Sequence, residues 1–186
     1  MTARIALLAM LAFAAGASAE PRDATMSIGG GVSNYLDGSL NGSIGLGGAW
    51  DARLTMPTRS WLSGELAYAG TAHFAGNGPA WTLLTHAVEG SVRLNHVRNE
   101  GTFLIEPFVS AGIGYAFLMA AGSSSGGTGD VLIPMAAGIS VIHDRLLLEA
   151  RVTYRHAFDG ELVRKVDGTH AGLASWAATA ALGYEF

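Results

Sequence analysis

The chain has 186 residues, the size of one domain, and contains no cysteine, which excludes a disulfide framework and a thiolate metal site. Its formal charge of -4, from 11 Lys and Arg against 15 Asp and Glu, argues against nucleic acid as a partner. Only 14% of residues are charged and the mean hydropathy is +0.31, yet beyond the N-terminal segment no apolar block is long enough for a membrane helix.

At the N-terminus, Arg4 precedes an apolar run over residues 5–15, and Ala17-Ser18-Ala19 precedes the polar Glu20-Pro21-Arg22-Asp23. These are the parts of a secretory signal peptide. The expected division is a signal peptide over 1–19 and one mature domain over 20–186.

The mature part alternates with a period of two, the strand signal, in eight segments. Residues 25–36 carry Met26, Ile28, Gly30 and Val32 on one face. Residues 43–56 carry Leu46, Trp50, Leu54 and Met56 against Asp51 and Arg53. Residues 61–74 carry Leu62, Leu66, Tyr68 and Phe74 against Ser63, Glu65 and His73. Residues 81–97 carry Leu84, His86, Val88, Val92 and Leu94 against Glu89 and Arg93. In 102–120, Phe103, Ile105, Val109, Ile113, Tyr115 and Phe117 oppose Glu106 and Ser110. Residues 131–141 carry Ile133, Met135, Ile139 and Val141. In 146–158, Leu146, Leu148, Val152, Tyr154 and Phe158 oppose Glu149, Arg151 and Arg155. The last segment, 171–186, sets Trp176, Leu182, Tyr184 and Phe186 against Ser175, Thr179 and Glu185.

Short connections at 57–60, 98–101 and 142–145 alternate with longer ones at 37–42, 75–80, 121–130 and 159–170. No Asp, Glu, Lys or Arg falls on the apolar faces. A soluble barrel or sandwich would need its charges on the wet outer face. A barrel in lipid needs the reverse, because Arg or Lys facing the bilayer midplane costs about 2–4 kcal/mol. The predicted fold is therefore all-β: an eight-stranded antiparallel up-and-down transmembrane β-barrel.

A barrel of this size has an interior just wide enough for side chains. The charges are then expected to pair and fill it. Counted from the tight turns, Arg53, Glu65, Arg93, Glu106, Glu149 and Arg151 form an inward belt of similar depth. Pairing Met56 with Leu62 sets Arg53 opposite Glu65, and pairing His96 with Phe103 sets Arg93 opposite Glu106. The alternative is a narrow gated channel lined by Arg155, Glu89 and Arg151.

The ending Ala181-Leu182-Gly183-Tyr184-Glu185-Phe186, with an aromatic terminus and Tyr184 two residues before it, resembles the last strand of bacterial outer-membrane proteins. With the signal peptide and hairpin rhythm, the mature chain resembles the OmpA transmembrane-domain and OmpX type of small barrel. The resemblance implies residence in the outer membrane among its lipids. It also implies recognition of Tyr184 and Phe186 by the barrel-assembly machinery, and no peptidoglycan-binding segment after the last strand. Loops 121–130 and 159–170 are the candidate contacts for an extracellular ligand.

No catalytic, cofactor or metal site is expected. Gly29-Gly30-Gly31 precedes no helix, so it is no nucleotide loop. The remaining alternative is a lipid A-modifying barrel of deacylase or acyltransferase type. The deacylase His-x-Ser pattern is not met at His156, which is followed two residues later by Phe158. The primary reading is a structural or surface-interaction barrel that is not an enzyme.

Overall fold

The computed structural model describes residues 23–36, 45–59, 61–74, 82–121, 128–158 and 174–186. The expected signal peptide and most of the longer connections lie outside them. The described strands are β1 (Thr25–Tyr35), β2 (Gly47–Arg59), β3 (Leu62–Phe74), β4 (Thr82–Asn95), β5 (Arg98–Glu100), β6 (Phe103–Ala121), β7 (Thr128–His143), β8 (Leu146–Ala157) and β9 (Ala174–Glu185). Each pairs antiparallel with its neighbours. β1 pairs with β9 and β4 pairs with β6, which closes the sheet into a barrel. The short β5 continues the line of β4 after a break at His96 and Val97, where the His96 amide donates to the Pro107 carbonyl. The nine strands therefore make eight staves, as expected for an up-and-down barrel with the termini at one end.

Closure satisfies the backbone in hydrocarbon, where an open edge would leave amides unpaired. The alternation then sorts the side chains. Ile28 is 72% exposed and Leu182 66% on the outer wall, while Arg93 is 2% and Glu65 4% exposed within. The apolar residues thus cover the outside of the barrel and the charges sit in its lumen.

The tight turns are displaced from the sequence reading. β2 runs on through Arg59 with a register shift between Pro57 and Arg59, so Met56 faces Gly64 and not Leu62. Arg98–Glu100 pairs with Phe103 to Ile105, so the second turn narrows to Gly101 and Thr102, with Gly101 at φ 67°. β7 reaches His143, leaving Asp144 and Arg145 as a two-residue turn at φ 46° and 74°. Positive φ at both central positions matches the right-handed strand twist. β7 also begins at Thr128 and β6 ends at Ala121, which places both ends of the 121–130 segment in strands.

Candidate functional site

Spacing of two along a strand puts side chains on one face. It therefore sends Asp51 and Arg53 of β2, Arg93 and Asn95 of β4, and Glu149 and Arg151 of β8 into the lumen, where β3 adds Glu65 and β7 adds Ser140. All eight are buried. Arg151 reaches across the barrel to Glu65 with two hydrogen bonds, Nη2 to Oε1 at 2.5 Å and Nη1 to Oε2 at 3.2 Å. Its Nε donates to Glu149 Oε1 at 2.8 Å. Arg93 Nη1 donates to Glu149 Oε2 at 2.7 Å and to Glu65 Oε1 at 3.3 Å. Two guanidiniums and two carboxylates thus form a closed four-membered ring spanning β3, β4 and β8.

Neutral partners hold the ring in place. Arg93 Nη2 donates to Ser140 Oγ at 2.7 Å, and that hydroxyl donates to Glu149 Oε2 at 2.8 Å. Arg93 Nε donates to Asn95 Oδ1 at 2.6 Å, and Asn95 Nδ2 donates to Ser63 Oγ at 2.8 Å. The Phe108 ring of β6 lies against both guanidiniums, 3.6 Å from Arg93 Cζ and 4.6 Å from Arg151 Cζ. Stacking there is a cation–π contact in a desolvated setting, where such contacts are strongest. Arg53 joins at the side, 3.7 Å from Glu65 and 3.4 Å from Asp51. Among the described residues Asp51 Oδ1 and Arg53 Nε are buried without a hydrogen-bond partner, which marks this flank as the looser one.

The strand register does not set these partners. Across the ladder Glu65 faces Thr55, Arg93 faces Ser110 and Glu106 faces Ser140, so neither expected register forms, although Arg53 still reaches Glu65 as an ion pair at 3.7 Å. Glu106 is buried in the same lumen. Tyr184 and Phe186 lie at the end of β9 on the outer wall, 44% and 56% exposed, with ring centroids 5.8 Å apart.

Toward the opposite end, Arg155 Nε donates to Glu89 Oε1 at 2.5 Å. Beyond it, Tyr35, Leu83, Ala87, Ala116, Leu118, Leu132 and Ala157 form a buried apolar cluster. His73 crosses behind Gly47 to reach Ser33 Oγ at 3.0 Å through Nε2 and the Gly45 carbonyl at 3.0 Å through Nδ1. A Cβ at Gly47 would collide with the Ala72 carbonyl and lie 2.5 Å from His73 Nδ1, so backbone and imidazole together need glycine there.

Alternation along the sequence places these charges, and Asn95 beside Arg93, in the lumen, but it does not single out Phe108, Ser140 or the Ser33–His73 pair. Phe108 carried a signal: it is a large aromatic in the same phase as Glu106 and Ser110. Among the described residues no group of three or more His, Asp or Glu could hold a metal ion.

Comparison with protein-family models finds no match, and comparison with curated proteins finds none. Solved structures do match. The N-terminal β-barrel domain of Pseudomonas aeruginosa OprF shares 13% identity at a TM-score of 0.55, over 90% of this chain and 100% of that one. Neisserial surface protein A shares 10% identity at a TM-score of 0.59, over 88% and 96%. The attachment invasion locus protein Ail of Yersinia pestis shares 12% identity at a TM-score of 0.51, over 89% and 100%. The shared feature is the fold, that of a small outer-membrane barrel of the OmpA and OmpX type.

Proposed function

We propose that this chain is an integral outer-membrane protein with a sealed lumen, acting as a structural element of the membrane or as a scaffold that displays outer loops. The observation that carries the reading is the ring of Glu65, Arg93, Glu149 and Arg151. It crosses the lumen from three staves and leaves each charge hydrogen-bonded to the next. Opening a path would require breaking buried ion pairs, each worth several kcal/mol once a partner is left alone. The apolar wall supports membrane residence, and the fold shared with small outer-membrane barrels supports the outer membrane as the compartment. In this reading loops 121–130 and 159–170 carry the contacts to an external ligand, and the N-terminal segment exports the chain.

The lipid-modifying reading needs a nucleophile and base open to the outer leaflet. The hydrogen-bonded Ser33 and His73 each have 1% exposure and turn into the lumen. The test is fractionation followed by gel mobility and conductance. The protein should collect in the outer-membrane fraction, migrate differently before and after boiling in SDS, and pass no steady current in planar bilayers. A soluble fraction with unchanged mobility overturns the membrane reading, and a steady conductance overturns the sealed lumen.

A further inference from the structure

On the lipid-facing wall, β2, β3 and β4 place Trp50, Gly70 and His86 in one register row. Tyr68 Oη lies 2.6 Å from His86 Nδ1, and the two rings stack at 5.9 Å and 22°. The Trp50 indole lies flat across Gly70, where an added Cβ would collide with it, and its ring stands edge-on to His86 at 6.0 Å and 64°. Gly70 therefore leaves the space that lets Trp50 close the cluster. Phe74, at the end of β3, lies four residue steps beyond Gly70. At about 3.3 Å per residue and a tilt of about 40°, that puts the row about 10 Å below the strand end, in the outer third of the span.

The polar atoms of this cluster are incompletely matched within the protein. The phenol is the better donor, so Tyr68 gives its proton to Nδ1. With Nδ1 accepting, the ring proton sits on Nε2, on the outer wall. Among the described residues neither His86 Nε2 nor Trp50 Nε1 has a hydrogen-bond partner. In hydrocarbon an unmatched N–H costs several kcal/mol, so the site selects an acceptor from the only medium it touches.

We propose that Trp50, Tyr68 and His86 form a binding cradle for one outer-leaflet lipid, with His86 Nε2–H donating to an oxygen in the ester region of its acyl chains and the indole flanking the chain. The inference rests on the membrane reading above. The same row continues from Trp50 onto β1, β9 and β8 through Gly30, Ala180 and Ala150, which carry no polar side-chain atom.

The experiment is NMR of the ¹⁵N-histidine-labelled full mature barrel in phosphatidylcholine nanodiscs, with His86→Phe identifying the His86 signal. Its Nε2 proton should persist against exchange with water and show cross-peaks to the lipid glycerol protons and the methylenes beside the ester. In Gly70→Ala the displaced indole should weaken those cross-peaks and speed the exchange. Contacts only to distal chain methylenes, contacts only to the choline headgroup, or rapid loss of the proton to water would each overturn the cradle. A chain that fails to insert at all overturns the membrane reading instead, so the two failures are distinguishable.

Discussion

Glu65 is the hub of the lumen, and Glu65→Gln tests the ring with almost no change in volume. The carboxylate accepts two hydrogen bonds from Arg151, at 2.5 and 3.2 Å, and one from Arg93 at 3.3 Å, with Arg53 at 3.7 Å. A hydrogen bond to a charged group contributes about 1.5–3 kcal/mol. Three such bonds bound the loss at about 4–9 kcal/mol. The glutamine carbonyl keeps part of this, since it can still accept from Arg151. The ring, however, becomes two guanidiniums sharing Glu149, a buried excess charge. The expected loss is therefore about 3–5 kcal/mol, the range for removing one partner of a buried pair. The double variant Glu65→Leu with Arg151→Met leaves Arg93 paired with Glu149 and should cost less than either single change. The assay is reversible urea unfolding in lipid vesicles, followed by tryptophan fluorescence and by gel mobility of the folded band. A loss below about 1 kcal/mol for Glu65→Gln, with no coupling in the double variant, would refute the reasoning. It would mean that water already solvates the ring and that the lumen is open.

Other consequences are as specific. Gly47→Ala pushes a methyl into His73 Nδ1 and should destabilise the barrel by about 1–3 kcal/mol, the range for overpacking, measured by the same unfolding assay. Asp144→Gly relieves a non-glycine residue at φ 46° and should raise stability by up to about 1 kcal/mol, provided the two-residue turn is kept. Export with cleavage predicts a mature N-terminus at or near Glu20, read by N-terminal sequencing, and an intact Met1 in the membrane fraction would oppose it. Deleting Phe186 should lower the amount of assembled barrel in cells more than it lowers the unfolding free energy of refolded protein.

The sequence by itself determined the wall. Alternation with a period of two fixes which residues share a face, and no charge breaks the apolar phase from Met26 to Leu182. Lipid outside and side chains inside then follow from solvation alone. What the sequence could not give was partnership. A turn that ends one strand at 97 and begins the next at 102 would set Arg93 against Glu106. The short β5 pairing and the shift at Pro57 moved both registers, and Arg93 came to face Ser110 across the ladder. Even a correct register would have missed the ring. Glu65 and Arg151 are 86 residues apart and sit on staves that do not touch. They meet because closing the sheet brings opposite walls within reach of long side chains, and a dry lumen compels each guanidinium to find a carboxylate wherever one points. Phe108 belongs to the same category, because it lies under guanidiniums from both β4 and β8, and the second of these reaches it only in the closed barrel. Gly47 does not: it stands beside His73 on adjacent strands, and the true β2–β3 register alone brings them together.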